Sequence, residues 1–280
     1  MRYSSVLFFL LSLGVATSSA GPAVQATKHR YFRDPKALGP LGQNGNISVV
    51  NAASFLPGIS PGALATIFGT NLTDVTGVIV ADTNPFPTKL ANVSIAVNGV
   101  LAPIFSVAFV NGQDQISFQV PWQTDVGSAA AFVEVFDFDE RVGSERVDSF
   151  TEDPGIFGYQ KYGNVYAVAV HASDFALVSP NDPADRGEVL VLYATGLGPV
   201  DQVISNGFGA PSNPPARTLD PFTVALAGED VPVLFSGLAP GFVGLYQLNI
   251  RLPDDLPAGD LSLQILSDFA NSQKVLLSVQ

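Results

Sequence analysis

The residues most able to do chemistry are carboxylates. Asp137, Asp139 and Glu140 stand together in the run FDFDE, and Asp182, Asp185 and Glu188 gather in a second short stretch. Closely spaced carboxylates repel one another unless a hard cation neutralises them. Calcium, which takes about six to eight oxygens, is the ion such groups attract. In a strand, Asp137 and Asp139 would share a face. Neither group has the spacing of an EF-hand loop, so solvated acidic loops are the competing reading. Paired carboxylates also equip glycoside hydrolases, but no feature of the sequence marks one acid as buried and protonated.

Three other features invite a chemical reading. Gly58-Ile59-Ser60-Pro61-Gly62 matches the nucleophile-elbow pattern GxSxG. An elbow needs a strand, a sharp turn and a helix, with the N–H after the serine donating to the oxyanion. Here the motif precedes a strand-like run, and Pro61 has no N–H to donate; the segment reads as a turn. His171 lies in AVHASDF with Asp174 nearby, and the other histidine is His29. One such histidine without any cysteine does not furnish a typical zinc site, so His171 reads as a locally hydrogen-bonded strand end. Trp122, the only tryptophan, closes an alternating run in VPWQ. It either stacks on a sugar ring from an exposed position or seals a sandwich end or a seam between domains. Tyr246 and Phe242 read as core and loop anchors. No catalytic residue emerges, and calcium is the only cofactor these residues suggest.

The elements that position these residues come from a duplication. Pro61 to Leu72 (PGALATIFGTNL) answers Arg186 to Leu197 (RGEVLVLYATGL) at a constant offset of 125, and Gln115 to Pro121 (QISFQVP) answers Gln247 to Pro253 (QLNIRLP) at 132. Offsets that grow slowly along a unit are what duplicated domains with different loops produce. Ile116, Phe118 and Val120 alternate with polar residues, as do Leu248, Ile250 and Leu252. That period is a strand with one buried face. Asn98-Gly99 signals a tight hairpin, and its counterpart is Ala227-Gly228. Short strands without a helical pattern predict an all-β chain of two tandem immunoglobulin-like antiparallel β-sandwiches. The units are expected at residues 46–152 and 153–280, with Ile156 and Phe157 as an apolar plug between them.

Composition and ends set the setting. Arg2, the apolar run Val6–Leu13 and the small residues Ser18-Ser19-Ala20 form a secretory signal over residues 1–20. Residues 21–45 read as a flexible basic leader carrying Lys28, His29, Arg30, Arg33 and Lys36. Cysteine is absent, so cohesion must come from burial rather than disulfides. Outside the signal and the leader the body carries 8 basic and 24 acidic residues, a net charge of −16. Such a body repels phosphate backbones, which argues against nucleic-acid binding. No later run is long and apolar enough for a membrane helix, so no transmembrane anchor is expected in the mature chain. Export to the periplasm, cell surface or medium follows.

Several motifs carry a resemblance. PGALATIFGTNL resembles the opening of an IPT/TIG immunoglobulin-like domain. NAASFLPGISPG (Asn51–Gly62), QISFQVPW (Gln115–Trp122), VLYATGLGPV (Val191–Val200) and GLAPGFVGLYQLNIRLP (Gly237–Pro253) resemble an uncharacterised module of Solibacter-type acidobacterial secreted proteins. The match runs from about Asn46 to Gln280. It implies an exported, immunoglobulin-like accessory or surface module and transfers no catalytic residue. Together these readings predict a non-enzymatic binding or adhesion module acting on carbohydrate, cell envelope or a protein surface. A structural spacer or assembly subunit is the alternative, and a carboxylate-dependent hydrolase the remote one.

Overall fold

Apolar residues at alternate positions, interrupted every few residues by Gly, Asn or Pro, leave this chain nothing to build but short strands. The computed structural model describes residues 47–127 and 130–280. The secretory signal and the basic leader lie outside the described residues. Twenty-one strands, numbered in chain order, form four sheets among those residues.

The first sheet runs β1 (Ile47–Asn51), β2 (Leu64–Gly69), β8 (Gln113–Gln119), β7 (Ile104–Val110) and β3 (Gly77–Val80). Facing it is β10 (Glu140–Val147), β9 (Ala131–Asp137), β5 (Val93–Val97) and β4 (Lys89–Leu90), with β6 (Val100–Leu101) also on β5. Ile67, Ile95, Ile116, Phe118 and Val133 fill the core between them. The third sheet orders β11 (Gly155–Ile156), β15 (Val189–Thr195), β19 (Tyr246–Arg251) and β18 (Val233–Leu238), with β14 (Ala169–His171) also on β15. The fourth orders β12 (Gly158–Lys161), β13 (Asn164–Ala167), β21 (Val275–Val279), β20 (Gly259–Leu266), β16 (Thr223–Leu226) and β17 (Glu229–Val231). Leu192, Leu248, Ile250 and Leu263 lie in the second core. The chain is all-β, two tandem immunoglobulin-like sandwiches. Every strand pair is antiparallel except the single parallel step of β13 on β21.

The duplication is visible in the register itself. β2 pairs β8 with Leu64 opposite Gln119 and Ile67 opposite Ile116. β15 pairs β19 with Val189 opposite Arg251 and Leu192 opposite Leu248. Adding the two sequence offsets to the first set yields the second. The hairpin pair is equally faithful: Asn98 and Gly99 take φ of 50° and 79°, Ala227 and Gly228 of 53° and 91°.

The sandwiches meet along a hydrogen-bonded seam. The Thr195 hydroxyl accepts from Leu64 N–H and donates to Gly244 C=O, both at 2.8 Å. The Gln119 amide accepts from Gly207 N–H at 2.7 Å and donates to Gly62 C=O at 3.3 Å. Asn51 Nδ2 donates to Asp153 C=O at 2.7 Å. Ile156 and Phe157, expected as a plug between the units, lie at the start of the second unit, where the Gln273 amide donates to both Ile156 C=O and Ala53 C=O. Ile156 belongs to the second core, and Phe157 packs on a small cluster around Tyr159 and Tyr193, because β11 carries this stretch into the third sheet.

Candidate functional site

The acids predicted as calcium ligands are not gathered into a cation site. Among the described residues no group of three or more His, Cys, Asp or Glu side chains is placed to hold a metal ion. Asp137 and Asp139 do not share a strand face. Phe138 and Asp139, with φ of 47° and 68°, are the two turn residues of the β9–β10 hairpin, and Asp137 stands opposite Glu140. The turn swings the Asp139 carboxylate onto Lys89 at 2.8 Å. Asp137 is half-buried, and one of its oxygens has no hydrogen-bond partner. Burial and the nearby Asp74 push its carboxyl above the usual range, against the pull of Phe138 N–H and Lys89.

The second acidic group organises a histidine instead. Glu188 holds His171 Nδ1 with both oxygens at 3.0 Å and accepts Asp185 N–H at 2.8 Å. Asp182 lies 3.9 Å from His171 Nε2, and Asp185 accepts from the Gln280 amide at 2.9 Å. Burial works against a charged ring, but the hydrogen bond and charge of Glu188, with the charge of Asp182, raise the His171 pKa above its ordinary value. Asp174 is not the partner; it caps its own turn through Ala176 N–H.

Trp122 sits at the seam. Its ring lies on Gly62 so closely that a Cβ there would fall 2.2 Å from Cη2. The ring packs against the second core, and the Trp122 backbone N–H donates to Asn206 Oδ1 at 2.9 Å. Ser60 is fully buried, with its hydroxyl directed at Thr151 C=O, so it presents no nucleophile.

Sequence reasoning missed an exposed sheet edge. β3 ends the first sheet, with β7 on one side and, among the described residues, no strand on the other. Val78, Ile79 and Val80 are 50%, 40% and 43% exposed, unusual for three consecutive β-branched residues. The ladder fixes which groups are open. Ala81 N–H donates to Phe105 C=O at 2.8 Å, so Ile79 and Gly77 are the β3 residues that exchange bonds with β7. Val78 and Val80 therefore point N–H and C=O outward. β3 carries no proline, charge or bulge, the devices that usually blunt an edge. Exposed Asp74 and Asp82 bracket it. A continuous Val-Ile-Val run bounded by Gly77 and Asp82 was the available signal.

No family model matches the chain, and no curated protein matches it. Among solved structures it is similar to SGBP-B of the Bacteroides ovatus mixed-linkage glucan utilization locus, solved with a mixed-linkage heptasaccharide. The identity is 13% over 79% of this chain and 42% of that one, with a TM-score of 0.30. It is also similar to the Yersinia pseudotuberculosis adhesin InvE (12% identity, 84% and 58% covered, TM-score 0.22). A third likeness is to titin A168169 (14% identity, 83% and 96% covered, TM-score 0.23). The chain spans about two fifths of the first of these and under three fifths of the second. Likenesses this weak bear on no ligand. No helix among the described residues is long and apolar enough to cross a membrane.

Proposed function

We propose that this chain is an exported, non-enzymatic binding or adhesion module acting at the cell surface or outside it, with the β3 edge as its working surface. The carrying observation is that edge: three exposed β-branched side chains and an outward-facing row of backbone donors and acceptors. Strand addition uses such an edge, the main chain supplying affinity and the alternate side chains selectivity. Two sandwiches joined through Thr195, Gln119 and Asn51 present it on a fixed body. The signal-like residues 1–20 and the motifs resembling Solibacter-type secreted modules support export. Partners range over envelope protein and carbohydrate; the acidic body disfavours nucleic acid.

An assembly subunit whose edges pair with copies of themselves is the second reading. The antiparallel register that sets Val78 against its own copy would also set Asp74 against Asp82 of that copy. Like charges directly opposite destabilise a strand pair, which favours a foreign partner. The test is a binding screen of the processed protein against glycans and envelope fractions, with calcium and again with a chelator. Binding that survives chelation supports the edge; binding lost on chelation moves the site to the acidic loops. Silence in both arms contradicts the binding reading.

A further inference from the structure

The two sandwiches are joined through an aspartyl-prolyl peptide bond, Asp153–Pro154. This is the peptide bond whose chemistry most favours breakage without an outside nucleophile. The aspartate carboxyl can close a five-membered ring on its own main-chain carbonyl carbon. The proline nitrogen, more basic than an ordinary amide nitrogen, then accepts a proton and leaves. The same dipeptide occurs at Asp34, Asp182 and Asp220, so the dipeptide alone does not single out Asp153. Its surroundings do.

Asn51 Nδ2 donates to the Asp153 C=O at 2.7 Å and to the Asp153 carboxylate Oδ2 at 3.3 Å. One amide therefore holds the carbonyl that would be attacked together with the carboxyl that would attack it. The amide cannot flip, because its Oδ1 already accepts Ala53 N–H at 2.8 Å and Ser54 N–H at 3.1 Å. A fixed N–H on a carbonyl oxygen stabilises the negative charge that grows there during attack. Gly196 pins the same residue from the other side. Its C=O accepts Asp153 N–H at 2.9 Å, and a Cβ on Gly196 would fall 2.0 Å from the Asp153 carbonyl oxygen. Such immobilisation supplies the proximity that an intramolecular attack exploits. Burial pushes the Asp153 carboxyl up to about 6, so in weak acid it carries the proton that the leaving nitrogen needs. Asp182 differs, its carboxylate being 62% exposed and facing His171 Nε2 at 3.9 Å.

From this geometry we propose that Asp153–Pro154 is a self-cleavage site, at which the chain cuts its own link between the two sandwiches under weakly acidic conditions. An Asp153 carboxyl oxygen bonds to the Asp153 carbonyl carbon while Asn51 Nδ2 holds the oxyanion. The carboxyl proton passes to the Pro154 nitrogen, the C–N bond breaks, and Pro154 becomes a free secondary amine. The five-membered cyclic anhydride left on Asp153 takes up one water and opens to two carboxyls. The Thr195 and Gln119 bonds across the seam still tie the two pieces together, so the cut shows only after denaturation. This site is independent of the β3 edge.

Mass spectrometry of denatured samples, taken while the processed full chain is held at about pH 5 and about pH 8, tests the proposal. Two pieces should accumulate, one ending at Asp153 and one beginning at Pro154. They should form at least tenfold faster at the lower pH, where most Asp153 carboxyls hold a proton. The folded chain should also cut at least tenfold faster than the urea-unfolded chain at about pH 5, in which Asp182–Pro183 and Asp220–Pro221 are equally free to break. Hydroxylamine should trap the anhydride as a hydroxamate on Asp153. The near-isosteric Asp153→Asn should stay whole over the same period. Asn51→Asp keeps the acceptor for Ala53 and Ser54 but removes the donor, and should cut at least tenfold slower, with melting curves showing that both variants fold. A native chain that stays whole at about pH 5 overturns the proposal. So does cutting no faster than in urea, or cutting that persists in Asp153→Asn, which would belong to a protease. Pieces that form without the hydroxamate overturn the anhydride step.

Discussion

Asp114 and Tyr246 occupy the same position in the two sandwiches and anchor the same turn with opposite hydrogen-bond polarity. Asp114 faces Gly69 across β2, and Tyr246 faces Ala194 across β15; the repeat offsets carry one pair onto the other. The Asp114 carboxylate accepts Leu72 N–H at 2.8 Å. The Tyr246 hydroxyl donates to Gly198 C=O at 2.6 Å. Both side chains are almost fully buried, and burial raises both pKa values, for Asp114 against the opposing bonds from Leu72 and Asn71. The repeat has kept the job of tying down the turn after the central strand while exchanging an acceptor for a donor.

Each anchor is expected to matter for its own unit. Tyr246→Phe strands a buried carbonyl and should cost about 1–2 kcal/mol, and Asp114→Ala strands backbone N–H groups and should cost about 2–3 kcal/mol. Chemical denaturation of the two variants measures both.

Ala227 holds a left-handed conformation that its counterpart Asn98 holds at lower strain, φ being 53° and 50°. Asn98 also accepts Phe132 N–H at 2.8 Å. Ala227→Asn should therefore stabilise the protein by about 0.5–1 kcal/mol. A rise in Tm, with no change in the strand content seen by circular dichroism, is the expected record.

Gly62 is fixed by two independent constraints. Its φ is +77°, and its missing Cβ leaves the space that the Trp122 ring occupies. Gly62→Ala should cost about 2–4 kcal/mol through strain and overpacking. Because the clash is with a seam residue, local exchange should rise around Asn206 and Gly207 before the cores open.

Asp153, at the seam, has its pKa pushed up to about 6 by burial, against the Asn51 hydrogen bond that favours the charged form. A raised carboxyl pKa means that the folded state holds its proton more tightly. The resulting stabilisation is complete below about pH 3.8 and is lost as pH rises through about 6. Asp153→Asn should then stabilise the protein by about 1–3 kcal/mol at pH 7.5 and by almost nothing at pH 3.5. Denaturant melts at the two pH values give the difference.

The central strands were legible because burial on one face writes itself as alternation. Ile116, Phe118 and Val120 announce β8, and Leu248, Ile250 and Leu252 announce β19. β3 has no alternation, since an exposed edge buries neither face of Gly77–Val80, so no period marks it as a strand. The Phe138-Asp139 turn was hidden for another reason: both residues take positive φ without the Asn-Gly signature, so the acids looked collinear. The seam was illegible too. Thr195 meets Leu64 and Gln119 meets Gly207 across separations of 131 and 88 residues, which no local pattern records.

β3 is the surface proposed to bind the partner. Val80→Pro removes one outward donor without touching the β7 ladder, and proline is tolerated on edge strands. The decisive measurement is the affinity of native and Val80→Pro proteins for one envelope fraction that the native protein captures, with their melting curves run in parallel. If β3 is the binding edge, the affinity falls at least tenfold at an unchanged Tm. Equal affinity at equal stability would contradict it.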